Sequence, residues 1–483
     1  MKLSNIIKGM DTISIRGNTS LEITGITKDS RNVEQGCLFF ATSASSAYTQ
    51  DALRRGAVGV VADGEVTEPF GCIVNVGDVM KALGQAASNF YHHPSRKTHV
   101  TGITGTNGKT TTTYLIESIF RAAGKEPGVI GTISYRYSGK TFKAANTTPG
   151  ASEINGLLSD MAGSGTSHVI MEVSSHALHQ ARVEGIDFDI AVFTNLTHDH
   201  LDYHGTFANY EASKKLLFED YLARSKKKKK YAIMNIDDPS IRDFVVAAPV
   251  TMLSYSTRGF ADACLLEYSE SIDGLTLTLS LPGKKVPIVS PLIGMFNASN
   301  VLAAALSGYA TGISHRAIKE GIERLTGVPG RLERVPNDRG ISVFVDYAHT
   351  PDAIKNVLSL LGRLKKGKLI VVFGCGGNRD AAKRPIMGAL ASRLADEVII
   401  TSDNPRNENA ARIIADITHG IEGKRYKVIE DRREAIFESI RTANPDDVVL
   451  VAGKGHEDYQ IVGERVLHFS DREVVEECLN VAT

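Results

Sequence analysis

The sequence predicts a three-domain α/β protein built on parallel β-sheets. Its 483 residues are 42% hydrophobic and 23% charged, which is enough for about three domains with full cores. Apolar, β-branched strands alternate with helical stretches, the pattern of parallel sheets covered on both faces. The predicted domains are residues 1–97, a small α/β unit; 98–329, a nucleotide domain; and 330–483, a doubly wound, Rossmann-like domain.

The composition argues against several classes of protein, among them nucleic-acid-binding, disulfide-rich and membrane-spanning proteins. The formal net charge is zero, so no basic excess suggests nucleic acid, and the run Lys226 to Lys230 is predicted to be a solvated turn. The five cysteines are scattered without a CxxC pair, which favours a reducing cytoplasm over a disulfide or metal-thiolate framework. No apolar run approaches the roughly 18 residues of a membrane span, and the N-terminus lacks a signal-peptide core. We expect a soluble, cytoplasmic protein.

Individual elements can be placed from apolar runs and turn residues. The first domain has predicted strands at 38–40, 59–61 and 72–74 and a helix at 79–91. The second has strands at 100–103, 168–173, 190–194 and 231–234. The third has strands at 368–373, 397–401 and 448–452, each followed by a polar loop. In open parallel sheets ligands bind beyond the carboxyl ends of the strands, so these loops are the expected site.

The segment from Thr104 to Thr113 predicts a nucleoside triphosphate site. An apolar strand precedes it and a helix follows from Tyr114. Glycines let backbone N–H groups face an anion at a helix N-terminus, Lys109 suits the β and γ phosphates, and Thr110 can bind Mg²⁺. The spacing departs from the common phosphate loop, because Ile103 stands where the first glycine is usual. The alternative is an ordinary turn between a strand and a helix.

Two further segments suit a metal bound near phosphates. Glu172 ends an apolar strand, and residues 195–204, with three histidines, follow the next one. Strand-end acids and imidazoles near a phosphate loop are suitable for Mg²⁺, although histidines in isolation are more often surface residues. The helix at 210–218 carries Lys214 and Lys215, and sequence physics alone favours two exposed lysines there.

Motifs spread along the whole chain resemble those of the Mur ligases, and among these the branch that adds diaminopimelate. The motifs are Gly105 to Thr111, Glu172 to His176, Thr194 to Leu196, Asp199 to Asp202, Gly294 to Asn297 with Asn300, Asp346 to Pro351, Gly374 to Gly377, Asp403 to Arg406 and Gly453 to Glu457. The resemblance implies an ATP-dependent ligase of peptidoglycan synthesis that joins meso-2,6-diaminopimelate to UDP-N-acetylmuramoyl-L-alanyl-D-glutamate through an acyl phosphate. It also implies an N-terminal UDP-binding domain, a central ATPase domain and a C-terminal amino-acid-binding domain.

The resemblance assigns roles around ATP and Mg²⁺. Catalytic roles fall on Lys109, Glu172, His200 and Lys214. One Mg²⁺ would lie on Thr110 and Glu172 and a second on Glu172 and His200, and Lys214 would become N6-carboxylysine, whose carbamate is a metal ligand. The implied ATP contacts are Gly105, Thr106, Asn107, Gly108, Lys109, Thr110, Thr111, Asn300, Arg331 and Asp346.

The resemblance also implies two substrate sites. The UDP-muramoyl peptide would contact Ser30, Asn146, Thr147, Thr148, Ser174, Gln180 and Arg182. The chain departs from the family at Ala44 to Gln50, where a Gly/His-rich stretch is usual, and at Gly150 and Asn378. The first departure bears on contacts to UDP.

Diaminopimelate differs from lysine by one carboxylate, so its site needs a cation for that carboxylate and an acceptor for the neighbouring ammonium. Arg379 and Arg406 would supply the first, and Glu457 and the Gly453 carbonyl the second. The implied contacts are Arg379, Asp403, Asn404, Pro405, Arg406, Gly453 and Glu457. Asp403 to Arg406 is also compatible with a type I turn.

Two alternatives stay open from the sequence. Another Mur-type or folylpolyglutamate-type ligase would share the phosphate loop and metal set but not the Asp403 to Arg406 and Gly453 to Glu457 motifs. A nucleotide-dependent switch would bind or hydrolyse nucleotide without any amine. For the ligase we expect a monomer with ATP and Mg²⁺ as cofactors and small-molecule substrates, with no nucleic-acid partner and no membrane insertion.

Overall fold

The structure is a computed structural model that describes residues 1–423 and 426–481. It contains two compact units. The first comprises Met1–Leu265, Leu279–Val286 and Ser299–Ile322, and the second comprises Leu266–Thr278, Pro287–Ala298 and Glu323–Thr483. No helix in the described part of the chain combines the length and apolar character needed to cross a bilayer.

The N-terminal region forms a five-stranded sheet in the order β1-β5-β4-β3-β2. Its elements are α1 (Leu3–Ile6), β1 (Thr12–Gly17), β2 (Gly25–Thr27), β3 (Cys37–Ala41), α2 (Thr49–Arg54), β4 (Gly59–Ala62), β5 (Cys72–Val76) and α3 (Val79–Phe90), with 3₁₀ turns at Ser30–Asn32, Ser43–Tyr48 and Pro94–Arg96. Strands β2 to β5 are parallel, and Asp78 caps α3 by accepting from two backbone N–H groups. The predicted strands and helix of this region are confirmed.

The central region is organised around an eleven-stranded sheet. Its strands are β6 (His99–Thr104), β7 (Pro127–Ile130), β8 (Ser134–Tyr137), β9 (Lys140–Lys143), β10 (His168–Glu172), β11 (Ile190–Phe193), β12 (Tyr231–Asn235), β13 (Thr251–Ser256), β14 (Ala263–Ser271), β15 (Gly274–Leu281) and β16 (Lys284–Ser290). Its helices are α4 (Lys109–Ala122), α5 (Ala151–Gly163), α6 (Ser175–His179), α7 (Leu201–His204), α8 (Phe207–Leu216), α9 (Met295–Ala310) and α10 (His315–Arg324), with a π-helical stretch at Leu217–Leu222 and a 3₁₀ turn at Pro239–Asp243.

The middle of this sheet is parallel and positions the site. The order is β16-β15-β14-β13-β12-β11-β6-β10-β7-β8-β9, and strands β13 to β7 of that order run parallel. Residue Thr104 of β6 pairs with Phe193 of β11, and Ile103 pairs with Glu172 of β10. The loops after these three strands therefore begin side by side.

The lysine run before β12 corrects one prediction. Lys230 is buried and its Nζ donates to Ala223 O at 2.6 Å, and Lys227 Nζ lies 2.7 Å from Asp189 Oδ2. The solvated-turn prediction is therefore wrong for these two lysines. Carbonyls at the end of the preceding helix and a half-buried carboxylate provide the partners that a buried ammonium requires.

The C-terminal region is a doubly wound six-stranded sheet in the order β17-β18-β22-β19-β20-β21. Its elements are β17 (Glu333–Val335), β18 (Ser342–Asp346), α11 (Pro351–Leu364), β19 (Leu369–Phe373), α12 (Lys383–Leu394), β20 (Glu397–Ile400), α13 (Ala410–Thr418), β21 (Tyr426–Val428), α14 (Arg432–Thr442), β22 (Val448–Ala452), a hairpin of β23 (Tyr459–Val462) and β24 (Arg465–His468), and α15 (Asp471–Val481). Leu369, Val371 and Phe373 join one core with α11 to α13, and Ile370 and Val372 join the opposite core with α14 and α15.

The three main sheets of the described residues agree with the predicted three-domain α/β architecture. The predicted strands at 168–173, 190–194, 231–234, 368–373, 397–401 and 448–452 are all confirmed within a residue at either end. The domain limits 1–97, 98–329 and 330–483 stay predictions.

Candidate active site

The predicted phosphate loop connects β6 to α4. Gly105 and Gly108 have φ values of 149° and 87°, which residues other than glycine rarely adopt. A Cβ on Gly105 would overlap Thr194 Oγ1, and one on Gly108 would overlap Asn300 Oδ1. Strand, tight turn and helix follow in the predicted order, and the glycines let this backbone lie against Thr194 and Asn300 at the N-terminus of α4, where a triphosphate is expected.

Two residues that the sequence prediction did not assign hold this loop. Asn195 accepts from Thr106 N at its carbonyl (2.8 Å) and from Asn107 N at Oδ1 (2.9 Å), while Thr194 Oγ1 donates to Asn107 O (2.6 Å). Both follow β11, the neighbour of β6 in the sheet. Their place after an adjacent parallel strand is the signal that could have identified them.

Lys109 and Lys214 meet at one carbonyl oxygen. Lys109 Nζ lies 2.8 Å and Lys214 Nζ 2.9 Å from Gly105 O. Lys214 is 1% exposed, so the expectation of two exposed lysines is wrong for this one. Burial, and next the Lys109 charge, lower the pKa of Lys214 well below its ordinary value. A lowered pKa favours the neutral amine over the ammonium.

The buried carboxylate of Glu172 connects helix α4 to the segment after β7 through hydrogen bonds. Its Oε2 accepts from Thr110 Oγ1 (2.9 Å) and Thr132 Oγ1 (2.8 Å), and its Oε1 accepts from Thr132 N (3.0 Å). Thr132 was not predicted, although it follows β7, which pairs with β10. Threonine hydroxyls and a carboxylate form the oxygen-rich environment that Mg²⁺ prefers.

His200 lies near the two lysines. Burial lowers the pKa of His200, Asp199 opposes this, and Lys109 and Lys214 lower it further. Its Nε2 is 3.6 Å from Asp199 Oδ2. Among the residues described, no three or more His, Cys, Asp or Glu side chains form a metal-binding group. Mg²⁺ binding by Glu172 and His200 stays a prediction, in which a hydroxyl and phosphate oxygens would complete the shell.

The residues predicted for the muramoyl peptide gather behind Glu172. Thr148 Oγ1 donates to Glu172 O (2.9 Å) and accepts from Ser174 N (3.0 Å), and Thr147 Oγ1 is 3.1 Å from Thr132 Oγ1. Arg182 Nη1 donates to Thr148 O (2.9 Å). The carbonyl of Asn146 accepts from Tyr135 Oη, and Gln180 bonds to Arg182. The structure thus brings six of the seven predicted residues together.

Ser30, the seventh, lies in the 3₁₀ turn of the N-terminal region. The Ser30 hydroxyl forms a hydrogen bond with the Asp51 carboxylate, and this bond lowers the pKa of Asp51. Burial and the Arg182 charge lower the pKa of Lys28, which lies between β2 and this turn. Residues 44–50, where the chain departs from the family pattern, form most of the 3₁₀ turn Ser43–Tyr48 and the start of α2. Tyr48 is exposed.

The other predicted ATP contacts lie in different units. Asn300 Oδ1 accepts from Thr112 Oγ1 (3.4 Å) next to the phosphate loop. In the second unit, Asp346 accepts from Leu332 N (2.6 Å) and Ala348 N (2.8 Å), and burial raises the pKa of Asp346. Asp346 thereby fixes the backbone beside Arg331. A nucleotide contact by Asp346 or Arg331 stays a prediction.

The predicted amine site lies at strand ends of the C-terminal sheet. Arg406 adopts a left-handed backbone (φ 52°) and its Nη1 donates to Gly377 O (2.8 Å). A Cβ on Gly376 would lie 2.9 Å from Arg406 Nη1 and 3.8 Å from Arg379 Cγ, so both arginines flank this glycine. Arg406 N donates to Ile461 O, not to Asp403 O. A type I turn does not require the latter bond, so a turn at Asp403 to Arg406 stays a prediction.

The acceptor side of this site is built around Glu457. Asn404 Nδ2 donates to Glu457 Oε2 (2.9 Å), and buried Lys454 donates to Asn404 Oδ1 (3.2 Å) and approaches Glu457 (3.4 Å). Burial raises the pKa of Glu457, which Lys454 partly opposes. A Cβ on Gly453 would lie 2.8 Å from Asp403 Oδ2. Lys454 was not predicted as a site residue, although it lies within the quoted Gly453 to Glu457 motif.

A fully buried ion pair lies beneath these loops. Arg432 bonds Asp471 through Nε and Nη2, both at 2.7 Å, and neither side chain is exposed. The same guanidinium donates to Ala452 O (2.9 Å) and Ser402 O (3.3 Å). These carbonyls directly precede Gly453 and Asp403, so the pair fixes the starting points of both site loops.

Solved structures share the fold. Over 100% of this chain and 99% of the other, the chain is 33% identical, with a TM-score of 0.72, to a structure titled UDP-N-acetylmuramoyl-L-alanyl-D-glutamate--2,6-diaminopimelate ligase. MurF from Acinetobacter baumannii matches at 18% identity and a TM-score of 0.62, covering 95% of this chain and 93% of that one. Folylpolyglutamate synthase from Mycobacterium tuberculosis matches at 19% and 0.63, covering 77% and 91%. The last two likenesses concern the fold alone.

Sequence relatives extend over the full length. A Geobacter metallireducens protein named UDP-N-acetylmuramoyl-L-alanyl-D-glutamate--2,6-diaminopimelate ligase is 44% identical over 98% of each chain. A Bacillus cereus protein of the same name is 41% identical, covering 99% of this chain and 98% of its own. Residues 103–308 match the Mur ligase middle domain and residues 330–455 match the Mur ligase glutamate ligase domain. With two such domains and relatives of this similarity, the chain belongs to the Mur ligase family.

Proposed function

We propose that this chain is the ATP-dependent ligase that adds meso-2,6-diaminopimelate to UDP-N-acetylmuramoyl-L-alanyl-D-glutamate, giving the UDP-muramoyl tripeptide of peptidoglycan synthesis. Relatives at 41–44% identity carry this enzyme name. The amine specificity is inferred from one observation: the segment Asp403 to Arg406 contacts both the Glu457 side and the Arg379 side of the predicted amine site. Asn404 bonds Glu457, and Arg406 bonds the loop that bears Arg379.

The first chemical step needs two anions to approach each other. A substrate carboxylate oxygen attacks the γ-phosphorus of ATP, the bond between the γ-phosphorus and the bridging oxygen breaks, and ADP leaves. Lys109 and the N-terminus of α4 would stabilise the charge that moves onto the phosphate oxygens. Thr110, Glu172 and His200 would hold Mg²⁺, which supplies the positive charge that offsets the repulsion.

Lys214 would take part as a carbamate. Its neutral amine nitrogen would bond to the carbon of CO₂ and lose a proton, which converts an ammonium that repels metal into a carboxylate that binds it. Burial and the Lys109 charge support this proposal, because both favour the neutral amine. The added negative charge would then lie near the Lys109 ammonium, which the two lysines' shared carbonyl brings close.

The second step forms the amide bond. The amine nitrogen of diaminopimelate attacks the acyl carbon, phosphate leaves with the oxygen it received, and a proton is lost from the nitrogen. Arg379 and Arg406 would bind the distal carboxylate, and Glu457 would accept from the neighbouring ammonium. Lysine lacks that carboxylate and would leave the guanidinium groups without their partner. Arg379 is exposed and Arg406 is partly buried, so the loss is that of charged hydrogen bonds, about 1.5–3 kcal/mol, a discrimination of roughly tenfold to a hundredfold.

Measuring ADP release tests this function. The assay combines ATP and Mg²⁺ with the UDP-muramoyl dipeptide, with and without meso-diaminopimelate, and includes lysine as the alternative amine. We expect ADP release only when the dipeptide and an amine are both present, with diaminopimelate strongly preferred. Equal turnover with ATP alone would favour a nucleotide switch, and preference for another amino acid would place the chain in a different branch of the family. The cytoplasmic location and the monomeric state stay predictions.

A further inference from the structure

Tyr203 occupies an unusual place between the predicted peptide and metal residues. It lies in the short helix α7, three residues after His200, and is 39% exposed. Its hydroxyl is 2.9 Å from His179 Nδ1 and 2.8 Å from Gln180 Nε2. Its ring centroid is 4.1 Å from that of His176. An exposed tyrosine held at both its ring and its hydroxyl has little rotational freedom.

Tyr203 and Gln180 are linked by a hydrogen bond of defined direction. The Gln180 amide nitrogen donates to the tyrosine oxygen, and the same hydroxyl is hydrogen-bonded to His179 Nδ1. At its other end, Gln180 Oε1 accepts from Arg182 Nε (2.9 Å) and Nη2 (2.7 Å). Arginine only donates, so the amide of Gln180 must present its oxygen to Arg182 and its nitrogen to Tyr203.

Arg182 ends this sequence of bonds. Its Nη1 donates to Thr148 O at 2.9 Å, and these three bonds use only part of the five N–H donors of a guanidinium. The remaining donors suit a carboxylate or a peptide carbonyl of the substrate. Its orientation depends on Gln180, and the orientation of Gln180 depends on the Tyr203 hydroxyl.

The ring of Tyr203 faces the metal side of the site. His176, on which it packs, lies with its ring centroid 4.8 Å from that of His200 at an interplanar angle of 84°. Tyr203 therefore contacts the peptide-binding residues through its hydroxyl and the neighbour of the metal-binding histidine through its ring.

We propose that Tyr203 is a positioning residue for the UDP-muramoyl dipeptide, and that it aims the Arg182 guanidinium through Gln180. This inference rests on the proposed function. It assigns to Tyr203 a role in substrate affinity that is separate from phosphoryl transfer, because the hydroxyl acts on Arg182 and not on the phosphate loop.

The variant Tyr203→Phe tests this role, because it keeps the ring against His176 and removes only the hydroxyl. Loss of one neutral hydrogen bond corresponds to about a fivefold effect. We expect KM for the dipeptide to rise about fivefold, while kcat and KM for ATP change less than about twofold. The matched control is Tyr309→Phe. Tyr309 is 37% exposed and its ring centroid lies 6.1 Å from that of His315.

A double-variant comparison separates positioning from a general loss of stability. In the Gln180→Ala background, Tyr203→Phe should add almost nothing to KM for the dipeptide, because the Gln180 side chain that links Tyr203 to Arg182 is already absent. Calorimetric binding of the UDP-muramoyl dipeptide without ATP provides a second measurement, with the same fivefold expectation. The melting temperature of each variant is recorded in parallel.

The outcomes are distinct. An unchanged dipeptide KM and Kd in Tyr203→Phe, or full additivity with Gln180→Ala, would overturn the positioning role while leaving the ligase function intact. A rise in KM for ATP equal to that for the dipeptide would mean a structural role and would also overturn it. Wild-type protein that neither turns over nor binds the dipeptide would overturn the proposed function and this inference together.

Discussion

Replacing Gly376 with alanine should displace the Arg406 guanidinium without disturbing the fold. The added Cβ would lie 2.9 Å from Arg406 Nη1 and 3.8 Å from Arg379 Cγ. Gly376 is not among the residues with a left-handed backbone, and the crowded atom is the end of a flexible side chain. The chain can therefore relieve the contact by moving Arg406 away from Gly377 O, its present acceptor.

The size of the effect follows from the bonds that Arg406 would lose. A hydrogen bond to a charged group contributes about 1.5–3 kcal/mol, which corresponds to roughly tenfold to a hundredfold in affinity. We expect KM for meso-diaminopimelate to rise at least about tenfold in Gly376→Ala, with KM for ATP unchanged. Arg406→Ala should shift the same constant in the same direction. Lysine should gain relative to diaminopimelate in both variants.

Steady-state ADP release at saturating ATP and UDP-muramoyl dipeptide, with either amine varied, measures these constants. Gly362→Ala in α11 is the control, because its Cβ would meet only Leu394 O at 3.9 Å. Melting temperatures should be similar in all three proteins. An unchanged ratio of kcat/KM for diaminopimelate over lysine in both Gly376→Ala and Arg406→Ala would show that Arg406 does not select the amine.

Further variants test other parts of the site and fold. Lys214→Ala should lose most activity and regain part of it with a small added carboxylate that replaces the carbamate, whereas Lys215→Ala, in the same helix and paired with Glu211, should remain active; a fully active Lys214→Ala would contradict the carbamate role. Gly105→Ala should abolish ATP binding, as measured by calorimetry, because its Cβ would overlap Thr194 Oγ1; normal binding would show that the loop opens elsewhere. Burial lowers the pKa of His99 from 6.5 to about 4, so the unfolded chain binds more protons between these values and stability falls as the pH drops from about 6.5 to 4. Urea unfolding of His99→Gln should show a weaker pH dependence, by up to about 3 kcal/mol at pH 4, and an identical dependence would mean that His99 is protonated in the folded protein.

The sequence predicted those features that depend on local pattern. Apolar runs located some strands in each of the three sheets, and the glycines and Lys109 located the phosphate loop, because a strand, turn and helix in succession are visible in the chain itself. The gathering of Thr148, Ser174 and Arg182 was predicted only through the family resemblance, since these residues are separated by up to 34 positions.

The remaining features depend on neighbours that sequence spacing does not reveal. Thr132 reaches the site because β7 flanks β10 in the sheet, and strand order is a tertiary property. Lys214 and Lys230 are buried although their types and surroundings suggested exposure. In both cases the Nζ donates to a backbone carbonyl oxygen seven or more residues away in the chain, and no periodic pattern encodes such a partner.

The Arg432–Asp471 pair limits how this chain can change over evolutionary time. Loss of one partner would leave a buried charge uncompensated, at a cost of about 3–5 kcal/mol, which is a large share of the stability of an ordinary domain. Because of this cost, we expect selection to remove single substitutions at either position and to retain only paired replacements. The two positions lie 39 residues apart in the sequence. Mutations that alter amine preference are thus expected to accumulate in the loops above this pair, whose backbone starting points stay the same while their side chains vary.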